Sequence, residues 1–434
     1  MSSSEHPSGR SGPTTTPAPA VVVGLDSITG LQTARILAAR SVPVHGVVAD
    51  RRHWGARTNA CTTVVESPLS GSELVASLAL LGRRLGRPAV LLPCSDAAVD
   101  TVSRYRDRLA DHGFLIALPE HDVVELLMDK VRFASYAAEH GLPVPRTELL
   151  ADPSSAAAVA ASIRYPCVLK PPYKTASWLS HTSAKGYPVA DERSFLETYD
   201  RVRSWVPFLL AQEWIPGGED ELYSCNAVFA TGGRPLATFV ARKLRQWPPD
   251  IGTSASGEEC RNDEVLDTTR KLFGGLGYRG LAYLEMKRDV RTGTLWIVEP
   301  NVGRPTGRSA IAEAGGVELV FTAYCDAAGL PLPRAREQRY GDAKWVDLRR
   351  DLQAAMVARR RGSLTLREWA MWVRGPKAHA IWSQRDPAPF LVDVSRAVGT
   401  GVRTLGARRP GSSRTHDGQR RTTVVPPIEE GVSA

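Results

Sequence analysis

The chain has 434 residues, 43% of them hydrophobic, which is a globular composition on a length that exceeds one core, so two or three domains are expected. No apolar run reaches the roughly 18 residues that a membrane span needs, and the N-terminal MSSSEHPSGRSGPTTTPAPA has neither a basic start nor an apolar core. Membrane spanning and secretion are therefore unsupported, and the cytoplasm is the expected compartment. Of the net charge of +9, residues 401–434 contribute +3; the remaining +6 suits an enzyme of anionic substrates at least as well as a nucleic-acid binder, and no aromatic-interleaved basic motif appears.

Residues 1–19 are rich in Ser, Pro, Thr, Gly and Ala and are expected to be disordered. From Ala20 the chain alternates short apolar strands with helical periodicity: AVVVG, then LDSITGLQTARILAARS, then VPVHGVVAD. The alternation continues through the strand Thr62 to Glu66, the helix Gly71 to Leu85, the strand Ala89 to Pro93 and the helix Asp96 to Leu109. It implies a parallel sheet covered by helices, with ligands at the carboxyl ends of its strands, near Ser95 and Asp96. Gly24 and Gly30 lack the G-x-G-x-x-G spacing of a dinucleotide fingerprint. The cysteines and histidines are scattered without C-x-x-C or H-x-x-x-H spacing, which argues for reduced core thiols and against zinc.

From Met128 the character changes. MDKVRFASYAAEHGLPVPRTELL reads as a helix opened by Asp129, closed by Gly141 and followed by a proline-bounded hinge. YPCVLKPP is a strand ending in Lys170, and the Ser/Thr/Lys-rich loop behind it runs through Lys185 and Gly186, a composition able to fold over phosphates or to sit in water. PFLLAQEWIPGGEDELYSCNAVFA is a strand, a Pro-Gly-Gly turn and an acidic start to a second strand, with Glu219 and Glu221 in the turn. PLATFVARKLRQWPP places Lys243 and Arg245 on one face and Arg242 on the other.

The stretch LAYLEMKRDVRTGTLWIVEPNVGRPTGR carries two strands with one acid each, Glu285 and Glu299, and Asn301 two residues on along the same face. A carboxylate among apolar neighbours is costly unless something positive meets it, and two carboxylates with an amide oxygen are hard ligands of the kind Mg²⁺ takes with a nucleotide's phosphates. Arg304 and Arg308 follow, and guanidinium forks suit phosphate or carboxylate oxygens. The segment Lys344 to Gly375 reads as largely helical, its Trp345, Trp369 and Trp372 being core or a ligand stack. The end from about Thr400 is expected to be disordered.

Taken in order, MDK, GLPVPRT, YPCVLKP, the loop to Lys185, QEWIPG, LEMK and VEPN resemble the ATP-grasp superfamily over about residues 20–328, most closely its carboxylate-amine ligases with a carbamoyl-phosphate-synthetase-like architecture. The resemblance implies an α/β and α+β chain: a Rossmann-like preATP-grasp parallel-sheet domain at 20–125, then a two-subdomain ATP-grasp fold at 126–330 divided into 126–211 and 212–330. A helical C-terminal extension at 331–399 and a basic tail at 400–434 would follow. By motif position, Lys130 and Lys170 resemble the lysines on the α- and β-phosphates. Ser180, Thr182, Ser183, Lys185 and Gly186 fall in the closing loop, and Gln212, Glu213, Trp214 and Ile215 in the adenine connector. Glu221 resembles the ribose acid, and Glu285, Glu299 and Asn301 the Mg²⁺ ligands, with Mn²⁺ as the alternative metal. Relatives commonly read E-x-N-P-R, whereas here the arginine, Arg304, sits one position further along and Arg308 is a second candidate.

The implied reaction is attack of a substrate carboxylate on the γ-phosphate of ATP, giving an acyl phosphate that an amine converts to an amide, with Arg242, Arg304 and Arg308 as the cations at the transfer site. The implied partners are a small-molecule carboxylate and an amine, with a homo-oligomer permitted and neither nucleic acid nor a membrane expected. The competing reading is a non-catalytic ATP-binding regulatory or scaffold protein.

Overall fold

In the computed structural model the described residues are 17–172, 175–182, 184–249, 252–375 and 377–406. Residues up to Phe390 form one compact unit and those from Leu391 a second, whose described part is the end of the helix Ala388–Gly406.

The strands fall into three sheets that follow one another along the chain. The first holds β1 (Ala20–Val23), β2 (Val44–Val48), β3 (Thr63–Glu66), β4 (Ala89–Pro93) and β5 (Phe114–Leu115), in the order β3-β2-β1-β4-β5. All of its pairs are parallel, and β1, β2 and β4 are buried throughout, as continuous Val- and Leu-rich runs covered on both faces require. Ser27 caps the helix Ile28–Ala38 by accepting the Gly30 N–H at 3.0 Å. A Cβ on Gly30 would stand 2.2 Å from the Gly24 carbonyl oxygen, so the glycines of GLDSITG serve the close approach of this helix to the turn after β1. The helix expected over Asp96 to Leu109 is broken at Tyr105 into Asp96–Arg104 and Arg106–Asp111.

The second sheet is antiparallel, with β6 (Thr147–Leu150), β7 (Cys167–Lys170), β8 (Tyr187–Val189) and β9 (Leu209–Glu213) in the order β6-β9-β7-β8. It has an apolar cluster of its own, which includes Leu169, Trp178, Phe195 and Leu209. The third sheet runs β14-β13-β10-β11-β12-β15-β16, with β10 (Leu222–Ala230), β11 (Arg234–Trp247), β12 (Thr253–Glu259), β13 (Gly280–Arg288), β14 (Leu295–Val302), β15 (Lys344–Val346) and β16 (Ala378–His379). It shares its two apolar clusters with the first sheet: Val21 and Leu91 pack with Cys225, Phe229 and Leu284, and Ala20 and Val22 with Val228 and Phe239.

The result is a mixed α/β structure with a parallel sheet. Within the expected helical extension, Lys344–Val346 is a strand added to β12, and helices occupy Leu348–Arg360 and Leu366–Val373. A strand of three residues is specified by its partner's edge, so no periodicity announced it. The helix Ala388–Gly406 runs past Thr400, where disorder was expected; residues 1–16 and 407–434 lie outside the described residues. No helix among the described residues is long and apolar enough to cross a membrane. All six cysteines are free.

Candidate active site

The β13–β14 hairpin places Glu285 directly opposite Glu299 and Tyr283 opposite Asn301. A bulge inserts Val298 between the pairs Glu285/Glu299 and Met286/Ile297, which turns Glu299 onto the same face as Glu285. Like charges opposite one another in a ladder repel. Lys243 of β11 meets them: its Nζ lies 2.7 Å from Glu285 Oε1, and Tyr283 donates to Oε2 at 3.1 Å. Burial pushes the Glu285 carboxyl up, but Lys243 and Arg308 outweigh it and hold it at about 2. Glu299 is half exposed, with Lys130 Nζ 3.8 Å away, and the Asn301 amide oxygen accepts from Arg304 Nη2 at 2.6 Å. The set is all oxygen, two of the groups anionic, and matches the donors of a hard divalent cation such as Mg²⁺. Among the described residues no group of three or more His, Cys, Asp or Glu could hold a metal.

A cleft of about 790 Å³ opens over this hairpin and is lined by Lys130, Lys170, Lys185 and Gly186, by Gln212 to Ile215, and by Glu285, Glu299, Asn301, Arg304 and Arg308. Lys130 begins the helix Lys130–Glu139, whose N-cap Asp129 accepts from the backbone N–H groups of Val131 and Arg132. Lys170 closes β7 and donates to Gln212 Oε1 at 2.6 Å; burial, then repulsion from Lys130, lowers its ammonium to about 8, against the pull of Glu299. Gly186 lies beside it, where a Cβ would stand 2.9 Å from the Leu169 carbonyl oxygen and from Lys170 Cβ. Trp214 has Lys287 Nζ 5.3 Å from its ring centre.

Other expected site residues lie elsewhere. Arg242 does not face the cleft: it pairs with Glu258 at 2.7 Å on the opposite face of β11, because strand alternation gives the cleft face to Lys243. Arg245, expected beside Lys243, is turned away by bulges on either side of it; it sits opposite Ser256 and pairs with Asp351 at 2.7 Å. Glu221 is outside the cleft lining, 3.8 Å from Arg288. Ser180 donates to Ser177 O within its own short helix, and Thr182 accepts from the Ala184 N–H. Ser183 lies outside the described residues. Asp96 reaches the site indirectly, through its 2.5 Å contact with Arg304 Nε, and Ser95 caps its helix. Of the cleft wall, Lys243 was read from sequence as part of a basic strand face and Trp345 as core or a ligand stack, whereas Tyr283 and Trp54 were passed over. Tyr283 was legible as the residue two before Glu285 on one face; Trp54 arrives by tertiary packing and leaves no local signal.

No protein-family model matches the chain. It is 22% identical over 231 residues to a D-aspartate ligase of Enterococcus faecium, covering 51% of this chain and 54% of that protein. It is 23% identical over 237 residues to the C-terminal section of the carbamoyl phosphate synthase large chain of Methanopyrus kandleri, covering 53% of this chain and 42% of that protein. The chain thus spans about half the length of these curated relatives. Its structure is similar to the biotin carboxylase domain of Hydrogenobacter thermophilus 2-oxoglutarate carboxylase, solved as a dimer with Mg-ADP, ADP and bicarbonate, at a TM-score of 0.59 and 14% identity over 75% of this chain and 73% of that one. What these likenesses show is a fold, a mixed α/β architecture shared with carboxylases and ligases. That likeness agrees with the resemblance to the ATP-grasp superfamily carried by the sequence motifs.

Proposed function

We propose that the chain is an ADP-forming ligase that joins a carboxylate to an amine at the cost of one ATP. The observation that supports it most is the pair Glu285 and Glu299, held face to face over a cleft whose remaining charges are mostly lysine and arginine. A site built only to retain a nucleotide has no use for two opposed carboxylates; one that neutralises a phosphoryl group in transfer does.

In this reading the first sheet belongs to the preATP-grasp domain, and the second and third to the two subdomains that hold the nucleotide. Lys130 and Lys170 take the α- and β-phosphates, Gln212 to Ile215 take the adenine, and Gly186 keeps that wall thin. Glu285, Glu299 and Asn301 would hold Mg²⁺, or Mn²⁺, which when bound supplies positive charge to the phosphates. Glu221, outside the cleft lining, is left without support as the ribose acid. Lys243 replaces Arg242 as the cation facing the acids, and Arg304 and Arg308 face the transferring group. A carboxylate oxygen attacks the γ-phosphorus as ADP leaves; the amine nitrogen then attacks the acyl carbon of the resulting acyl phosphate, and inorganic phosphate leaves with its bonding pair. The free thiols suit the reducing cytoplasm.

The test is ADP release from Mg-ATP by the purified chain with pools of carboxylic acids and amines. Release that requires both an acid and an amine is the expected result. Tight ATP binding with no release for any pair would leave the non-catalytic regulator instead.

A further inference from the structure

Register sets Lys243, Gly257 and Trp345 in one row across β11, β12 and β15, all on the cleft face. Over the middle of the row lies Arg308, which is 6% exposed: a Cβ built on Gly257 would stand 3.7 Å from its Nη1. Such a Cβ would also stand 2.9 Å from the Arg242 carbonyl oxygen, so glycine keeps this space open. Arg308 Nη2 donates to the Tyr283 hydroxyl and through it reaches Glu285. Its Nη1 has no hydrogen-bond partner among the described residues, and neither has Nε1 of Trp345, which is 1% exposed; both residues line the cleft.

Guanidinium and indole N–H groups can only donate, so what completes them is an acceptor, and beside a fixed positive charge an anionic one. The protein's own carboxylates nearby are engaged. Glu259, two positions from Gly257 on the same face, accepts the N–H groups of Tyr340, Gly341 and Ala343. Asp26 accepts the Ala49 N–H, and Glu285 is held by Lys243 and Tyr283. The two edges of the guanidinium also look different ways, Nη2 toward the acids of the hairpin and Nη1 toward Gly257.

We infer that Arg308 Nη1 and Trp345 Nε1 form a subsite for a substrate carboxylate that is not consumed, an anchor distinct from the carboxylate that reacts. The inference rests on the ligase reading for the identity of the ligand as substrate. Trp345 comes from β15, beyond the stretch of about residues 20–328 that carries the superfamily resemblance, so this wall is a feature of the chain's own C-terminal segment. The anchored carboxylate belongs either to the amine partner, which is then an amino acid, or to the acid partner, which is then a dicarboxylate.

Calorimetric titration of the full chain, in Mg²⁺ and a non-hydrolysable ATP analogue, tests this with matched probes: common α-amino acids against their decarboxylated amines, and succinate and glutarate against butyrate and valerate. The expected result is that one series loses about tenfold or more in affinity when the extra carboxylate is removed. Trp345→Phe keeps an aromatic ring, smaller than the indole, and deletes the N–H; it should weaken the carboxylate-bearing probe about tenfold and leave the affinity for the ATP analogue as in the wild type. Equal binding within every pair, no binding by any probe, or wild-type affinity in Trp345→Phe would each overturn the subsite. ADP release separates the two readings. Carboxylate-dependent binding without any ADP formation sinks the ligase and keeps the subsite, whereas turnover with carboxylate-free partners at undiminished KM does the reverse.

Discussion

Among single residues, Glu299 and Lys170 make the sharpest claims. Glu299→Gln keeps the size of a half-exposed side chain and removes one of two opposed charges; ADP release should fall by at least about a hundredfold with the melting temperature unchanged, and normal turnover would sink the metal assignment. Lys170 titrates at about 8 instead of 10.5 because it is buried and near Lys130. The unfolded chain therefore keeps this proton to higher pH, so stability rises with pH between about 8 and 10.5, and below 8 the folded protein carries the charged form at a cost. A bound phosphate would restore the charge. Nucleotide binding at about pH 8.5 should accordingly take up a proton, measured as a dependence of binding enthalpy on buffer ionisation, and Lys170→Met should abolish the uptake. These side chains were readable in the sequence because Lys170 closes a short apolar strand and Glu299 is an acid inside one. Arg304 was harder to place: its partner Asp96 lies 208 positions away, a pairing that no local pattern encodes.

At the level of elements, packing against neighbours decides what faces the cleft. Gly186→Ala would drive a methyl group to 2.9 Å from Leu169 O and Lys170 Cβ, so β8 must shift from β7. A loss of about 1–3 kcal/mol in urea unfolding and a raised KM for ATP are expected, and a variant with wild-type values for both would refute the close-approach role. The helix Leu348–Arg360 is tied to β11 by Asp351, which is fully buried and takes Arg245 at 2.7 and 3.2 Å and the Trp369 indole N–H at 2.9 Å. Asp351→Ala strands that guanidinium and should cost about 3–5 kcal/mol in the same measurement, with Asp351→Asn milder. Strands bounded by turn residues, such as those of Glu285 and Glu299, could be read from sequence. The bulges beside Arg245 and at Val298 could not, since one extra residue reverses a face without changing composition.

In the molecule as a whole, the parallel sheet and the seven-stranded sheet share their apolar clusters, while β6 to β9 pack around a cluster of their own. The four-stranded sheet is therefore expected to open as a separate cooperative unit. Its amides should exchange with solvent through an opening of lower free energy than those of β1, β10 and β13, and an ATP analogue should slow them most, because Lys170, Gly186 and Gln212 to Ile215 come from this sheet and its flanks. A single common opening for all three sheets would contradict it. The alternation of strands and helices up to Asp96 made the first sheet legible, whereas the return of the chain to the third sheet rests on β15 and β16, too short to register as strands by themselves.

That return has a consequence for solubility. β15 covers the backbone edge of β12 through Ser256 to Val346, Gly257 to Trp345 and Glu258 to Lys344, and β16 in turn covers part of β15. Stripped of them, β12 would present a row of unmet amide and carbonyl groups to any passing strand, including the same strand of another molecule. A lesion that unseats Lys344–Val346 should thus announce itself first as precipitation, before any weakness in handling substrate can be seen.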